Sequence, residues 1–337
     1  MLKVFHGSNN VAGSAELIAQ AQRSLGLDAT SVCMPNKYFS EGVNLVVSES
    51  LTGRAKLLSQ FSKFDVFHFY FGSTLLGGLG LQDINLLKKL GKQVFLYFCG
   101  CDIRDSNKVI STQKISACAE CWPQECHPKR KEMERYLGIV DGVFVSTPDL
   151  LEFVPNAILL PQPVDLSILH QVSMTKERMC DVPIQKTGVT RLVHAPSNRT
   201  IKGTRHLISS VEELKVRGIA VELVLVENKS HSEALQIFSA ADIAVDQLLI
   251  GSYGQFAVEM MALGIPVVCN IREDLRSFYP SNLPMVSADP QNLTFILDEL
   301  IKNRDSWSEL GKIGQRYASD VHDPLMIATT AASFYRH

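Results

Sequence analysis

The chain has 337 residues, more than a single hydrophobic core serves, so two domains of about 150 residues are expected. Hydrophobic residues make up 46% and charged residues 20%, which supplies apolar surface for two cores and excludes a disordered chain. Net charge is −2, with 16 Lys+Arg against 15 Asp+Glu in the first 160 residues and 17 against 20 in the rest, so neither half has the basic excess of a nucleic-acid binder, and a small-molecule substrate is expected.

In chain order, short apolar runs alternate with amphipathic helical stretches, the pattern of parallel sheets covered by helices. The first set has strands expected near 3–5, 29–32, 43–47, 66–70, 93–98 and 142–146, and helices near 14–25, 52–62, 79–90, 130–137 and 148–153. The second has strands near 190–194, 220–226, 243–246, 266–269 and 285–287, and helices near 204–217, 231–239, 255–263 and 291–303. Two further helices, near 305–320 and 324–335, have no strand after them. The division is an N-terminal domain over 1–161 with a cysteine-containing insertion at 99–130, a linker over 162–189 that opens on Pro161-Gln162-Pro163, a C-terminal domain over 190–320, and a last helix over 321–337 that can pack back on the N-terminal domain. No apolar run reaches the length of a membrane span, and Met1 to Phe5 reads as a strand and not as the core of a secretion signal. A cytoplasmic location, no transmembrane segment and reduced cysteines are the expectation.

Two doubly wound sheets offer ligands the carboxyl ends of their strands. The loop after the first strand, from His6 to Ser14, has the wrong glycine spacing for a dinucleotide fingerprint, and a Walker phosphate loop is missing. Residues 195–204 are more informative, since Arg199 and Lys202 form a cation pair that can grip a diphosphate and Gly203 would admit a close backbone approach. Alone, this stretch is equally a solvated loop with two surface cations. Residues 246–268 then read as strand, glycine-containing turn, helix and strand, with turn N–H groups at a helix N-terminus available to an anion. Glu259, in the apolar middle of that helix, needs a hydrogen-bonding partner from protein or ligand.

Arg199, Lys202-Gly203, Gly254, Glu259, Ala262 and Gly264-Ile265-Pro266-Val267-Val268 stand in the order and spacing of the donor domain of retaining glycosyltransferases of family 4, which residues 190–320 resemble. The first half resembles that family more weakly, through the Gly7 to Gly13 loop, Asp65-Val66-Phe67-His68 and the turn Gly100-Cys101-Asp102-Ile103-Arg104. The resemblance implies a GT-B architecture of two Rossmann-like α/β domains facing a cleft, the N-terminal one for the acceptor and the C-terminal one for the donor, and a hexosyltransferase that uses a UDP- or GDP-linked sugar with retention. No cofactor would be required for catalysis. Arg199 and Lys202 would neutralise the leaving diphosphate, Glu259 would hold the ribose, and Ser252, Tyr253, Gly254 and Gln255, with Gly203 and with Gly13 from the first domain, would line the donor site. Two positions depart from the pattern: Gly251 stands where the family has a glutamate, and Cys99 where a histidine is common. Both family residues normally contact the donor sugar. The departures keep open a degenerate homologue that binds a nucleotide sugar or partners an active transferase, and a nucleotide-sugar epimerase or hydrolase.

His68, Asp102 and Arg104 are the candidates on the acceptor side, although a packed histidine and a local ion pair are the preferred readings. Cys118, Cys121 and Cys126, with Cys101 or His127 as fourth ligand, suit a structural zinc site; reduced thiols packing the insertion is the preferred alternative. No base is evident beside these thiols, so a catalytic cysteine is not expected.

Overall fold

The computed structural model describes residues 1–33, 43–46, 50, 53, 61–74, 82–121, 126–172 and 188–336. They form two compact units. The first comprises residues 1–108, 123–164 and 322–337, and the second comprises 109–122 and 165–321. Residues 109–122, which the sequence reading gives to the N-terminal domain, therefore belong with the C-terminal sheet. The helix expected over 52–62 falls mostly on residues outside the description.

Among the described residues the first unit holds seven parallel strands: β1 (Lys3–His6), β2 (Asp28–Cys33), β3 (Leu45–Val46), β4 (Val66–Tyr70), β5 (Gln93–Phe98), β6 (Gly142–Val145) and β7 (Ile158–Leu159), in the order β3-β2-β1-β4-β5-β6-β7. Sequence reading missed β7, a two-residue edge strand too short to show a pattern. The central strands are apolar throughout because both faces are covered. Phe67, Phe69, Val94, Leu96 and Phe98 fill one side, and Val66, Tyr70, Phe95 and Tyr97 the other. The second side is closed by the helix Ser14–Ser24 and by the last helix, Pro324–Ala332, which brings Ile327, Ala328 and Ala331 into that core, followed by Tyr335 just beyond its end. Asp323 starts the last helix by accepting hydrogen bonds from the N–H groups of Leu325 and Met326.

A buried polar chain runs through the same layer. The His6 ring meets Tyr70 Oη at 2.7 Å and Gln22 Oε1 at 2.9 Å, Gln22 Nε2 donates to Tyr335 Oη, and Tyr335 Oη meets His68 Nε2 at 2.7 Å. Burial lowers the His6 pKa to about 4 and holds His68 well below the ordinary histidine value, so both rings are neutral.

The second unit holds β8 (Thr190–His194), β9 (Val221–Leu225), β10 (Ile243–Val245), β11 (Val267–Cys269) and β12 (Met285–Ser287), again all parallel, in the order β12-β11-β10-β8-β9. The strand order reverses between β8 and β10, which makes the carboxyl ends of these two strands the switch point where such sheets take ligands. Two short helices that sequence reading missed, Ala117–Glu120 and Arg199–Lys202, sit near this end of the sheet. No helix among the described residues is long and apolar enough to cross a membrane.

Candidate functional site

The loops that leave β8 and β10 meet at the switch point of the second unit. After β8, Asn198 caps the one-turn helix Arg199–Lys202, its side chain accepting from the N–H groups of Thr200 at 2.9 Å and Ile201 at 3.1 Å. Gly203 then turns the chain into the helix Thr204–Val216 with φ +75°. A Cβ on Gly203 would lie 3.1 Å from Leu248 and Leu249. The glycine is thus required by its left-handed backbone and by packing against the neighbouring turn, a different reason from the expected approach to phosphate. Leu248 N–H donates to the Lys202 carbonyl at 3.1 Å, which ties the two loops together.

Lys202 Nζ lies 2.9 Å from Asp246 Oδ1 and 2.8 Å from Gln247 Oε1, and the other Asp246 oxygen accepts the Gly254 N–H at 2.7 Å. One carboxylate therefore links the cation of the first loop to the start of the helix Gln255–Ala262. Asp246 is buried, and its charge is matched by the ammonium and by a backbone donor at a helix N-terminus. An ammonium group has three N–H bonds, and two of these contacts leave one to offer to an anion. Arg199 reaches outward and forms a two-point pair with Glu227. The pair raises the guanidinium pKa and lowers that of Glu227, chiefly through the hydrogen bonds between them. Asp246, Gln247 and Glu227 carry no role in the sequence reading. The signal for Asp246 was present, since a carboxylate directly after Ile243-Ala244-Val245 must sit at a strand end.

The turn 248–254 points its larger side chains inward. Ser252 is buried with Oγ 3.1 Å from Tyr279 Oη, and Tyr253 is buried with its hydroxyl 3.2 Å from Tyr317 Oη. These side chains hold the turn from within, where the sequence reading has both lining the donor site. Gly251 has φ +84°, and a Cβ there would lie 2.5 Å from Arg272 Cγ and Cδ. Arg272 is fixed over the turn by its own N–H, which donates to the Gly251 carbonyl at 2.9 Å, and by a two-point pair with Asp274. The place of the family's glutamate is thus filled by an arginine stem from the next loop. Glu259 is buried, and its Oε1 lies 2.8 Å from Nε2 of His231 at the start of the helix His231–Ser239. Gln255 is half-buried in the first turn of its helix. Arg199, Lys202, Gly203, the 252–255 turn and Glu259 all belong to the second unit, while Gly13 belongs to the first, at the start of the helix Ser14–Ser24.

The acceptor-side candidates are occupied by the interior of the first unit. His68 is buried and bonded to Tyr335. Asp102 accepts from the N–H groups of Cys99 and Gly100 and so closes its own turn. Arg104 pairs with Asp149 at 2.5 Å, where sequence reading has it paired with Asp102. Burial and the nearby Asp102 push the Cys99 thiol pKa well up, which keeps it protonated. Cys118 and Cys121 belong to the second unit and Cys101 to the first, while the side chains of Cys126 and His127 lie outside the described residues. Among the described residues no three His, Cys, Asp or Glu side chains are grouped to hold a metal ion.

No protein-family model matches the chain, and no curated protein matches it in sequence. Solved structures match it along its whole length. Sucrose-phosphate synthase from Thermosynechococcus elongatus is 14% identical, with 100% of this chain and 95% of that one covered and a TM-score of 0.64. Anabaena Alr3699/HepE in complex with UDP-glucose is 12% identical, with 99% of each chain covered and a TM-score of 0.64. UDP-GlcNAc 2-epimerase from Neisseria meningitidis, bound to UDP-GlcNAc, is 13% identical with a TM-score of 0.54 and covers 99% of this chain and 98% of that one. These likenesses establish that the chain has the GT-B fold.

Proposed function

We propose that this chain is a glycosyltransferase that takes a hexose from a UDP-linked donor bound to its second unit and transfers it with retention. The observation that carries the reading is the Lys202–Asp246–Gly254 assembly at the point where the strand order reverses, one carboxylate holding an ammonium and a helix N-terminus side by side. In this reading the third N–H of Lys202 and the guanidinium of Arg199 hold the donor diphosphate and stabilise the charge that develops on it as the glycosidic bond breaks. The proposal is metal-free because side-chain cations take the place a divalent ion has in other phosphate sites. Glu259 takes the ribose hydroxyls, with His231 as its partner when the site is empty of ribose. The complex of HepE with UDP-glucose supports a uridine donor.

The experiment is a calorimetric titration of UDP and of uridine into the protein and into Lys202→Ala. Loss of one charge-assisted hydrogen bond predicts UDP affinity weaker by about tenfold or more and uridine affinity unchanged. Equal losses for both ligands remove Lys202 from the phosphate site and the reading with it.

One observation favours a second reading. With Arg272 packed on Gly251, the turn lacks the carboxylate that the resembling family sets against the donor sugar. A chain that binds the nucleotide sugar without transferring it, or that epimerises it, fits this equally. Incubation with UDP-glucose and candidate acceptors separates the three outcomes: glycosylated product, altered or hydrolysed donor, or donor recovered intact. The structural zinc also remains a proposal, decided by elemental analysis of protein purified without metal resin.

A further inference from the structure

The second unit has a cleft of about 490 Å³ beside the donor turn, between residues 112–115 and the loops that leave β11 and β12. We infer that this cleft binds a neutral mono- or disaccharide, a binding that does not depend on the transferase reading above.

The position, the charge and the lining groups all point to this ligand. The cleft lies at the carboxyl ends of two parallel strands, where such sheets bind small molecules, and its volume suits one or two sugar rings. Its charged residues are Lys114 and Arg272 against Glu273, Asp274 and Asp289. Arg272 is committed to Asp274, and Glu273 to Arg276 at 2.9 Å. The hydrogen bonds from Arg272 hold the Asp274 carboxyl below its ordinary value, so it stays ionised. These pairs leave Lys114 against Asp289, so the lining has no net positive charge to draw a phosphate or a nucleotide. Apart from these, the wall is built of Thr112, Gln113, Asn270, Ser287 and Asn292, with only three aliphatic side chains among them. Hydroxyl and amide groups both donate and accept, which is the complement of a sugar hydroxyl and a poor surface for a lipid. Several are preset by their own bonds: Asn292 Oδ1 accepts the Asp289 N–H at 2.9 Å, and Asp289 Oδ1 accepts the Gln291 N–H at 2.7 Å. No aromatic ring lines the cleft, so affinity of millimolar order is expected.

Two residues that line the cleft bond to the donor turn. Asn270 Nδ2 donates to the Leu248 carbonyl at 2.9 Å, and the backbone of Arg272 bonds Gly251. A sugar in the cleft would therefore be held by loops that also brace the donor turn.

The test titrates cellobiose, maltose, sucrose and chitobiose, with glucose 6-phosphate as the anionic control, into the full chain without nucleotide, followed by ligand-observed NMR. Two variants accompany it: Gln113→Ala, which removes an amide, and Thr112→Trp at an exposed position, which fills the cleft. At least one neutral saccharide should bind with a dissociation constant of millimolar order, weaker by about tenfold in Gln113→Ala and abolished in Thr112→Trp, with UDP affinity unchanged in both. Saccharide binding that survives Thr112→Trp overturns the inference, as does a preference for glucose 6-phosphate or no saturation by any neutral member at about 50 mM. If saccharide binds and UDP does not, the transferase reading fails and the sugar site stands. If UDP binds through Lys202 and no saccharide binds, the sugar site fails and the transferase reading stands.

Discussion

Replacing Gly251 by alanine tests the donor turn at the position where it departs from the family it resembles. Two costs can be read from the geometry. At φ +84° an alanine sits in the left-handed region, which costs about 1–2 kcal/mol. Its Cβ would also stand 2.5 Å from Arg272 Cγ and Cδ, atoms too near the arginine backbone to move aside freely, and relief of such overpacking costs about 1–3 kcal/mol. Together they predict a loss of about 2–5 kcal/mol, or roughly 5–15 °C in the melting of a unit of this size. Arg272→Ala removes the second cost alone, at the expense of an Arg272–Asp274 pair worth about 0–1 kcal/mol because Asp274 is exposed. In that background Gly251→Ala should therefore cost only about 1–2 kcal/mol, the difference being the coupling between the two sites. Calorimetric unfolding of the four proteins measures all of this. If Gly251→Ala is neutral, or costs the same with and without Arg272, the described turn is wrong, and with it the claim that a glutamate at 251 has no room.

Other outcomes follow from the same geometry. Glu259→Gln should fold normally and weaken UDP binding by about tenfold; a lower melting temperature with unchanged UDP affinity would instead make Glu259 a packing partner of His231. Tyr335→Phe removes the hydroxyl shared by Gln22 and His68 and should destabilise the first unit by about 1–3 kcal/mol in denaturant unfolding, a neutral result refuting the buried chain. His6 and His322 are both buried with pKa values lowered to about 4 from the ordinary 6.5. Below pH 6.5 the unfolded chain takes up protons that the folded unit refuses until about pH 4, so stability should be flat above pH 7 and fall by about 3 kcal/mol per histidine across that window. An unfolding midpoint for the first unit that does not move between pH 7 and about 4.5 contradicts this.

The alternation of apolar runs and helices was enough to locate nearly every strand, because parallel strands covered on both faces are apolar throughout and leave a strong local signal. What it could not show depends on contacts distant in sequence. The Ser116-capped helix Ala117–Glu120 looks like part of a cysteine-rich insertion of the first half. It joins the second unit because Ala117 N–H donates to the Leu249 carbonyl and Glu120 pairs with Arg205 and His206. Arg199 and Lys202 were legible as cations after a strand, yet their partners Glu227 and Asp246 lie 28 and 44 residues away. Ser252 and Tyr253 show the opposite error. A polar residue in a glycine-rich turn reads as exposed, and here both are turned into a cluster with Tyr279 and Tyr317 that no local pattern announces.

The way the last helix completes the first unit also bears on synthesis. Strands β1 and β4 come early in the chain, but the layer over them is finished only by residues 322–336, whose Tyr335 reaches back to Gln22 and His68. During translation the first unit must wait for the whole of the second to leave the ribosome before its apolar face is covered. For that interval the aromatic face of β4, β5 and β6 is covered only in part, by the helix Ser14–Ser24, and apolar surface exposed in this way favours aggregation of the nascent chain over completion of the fold.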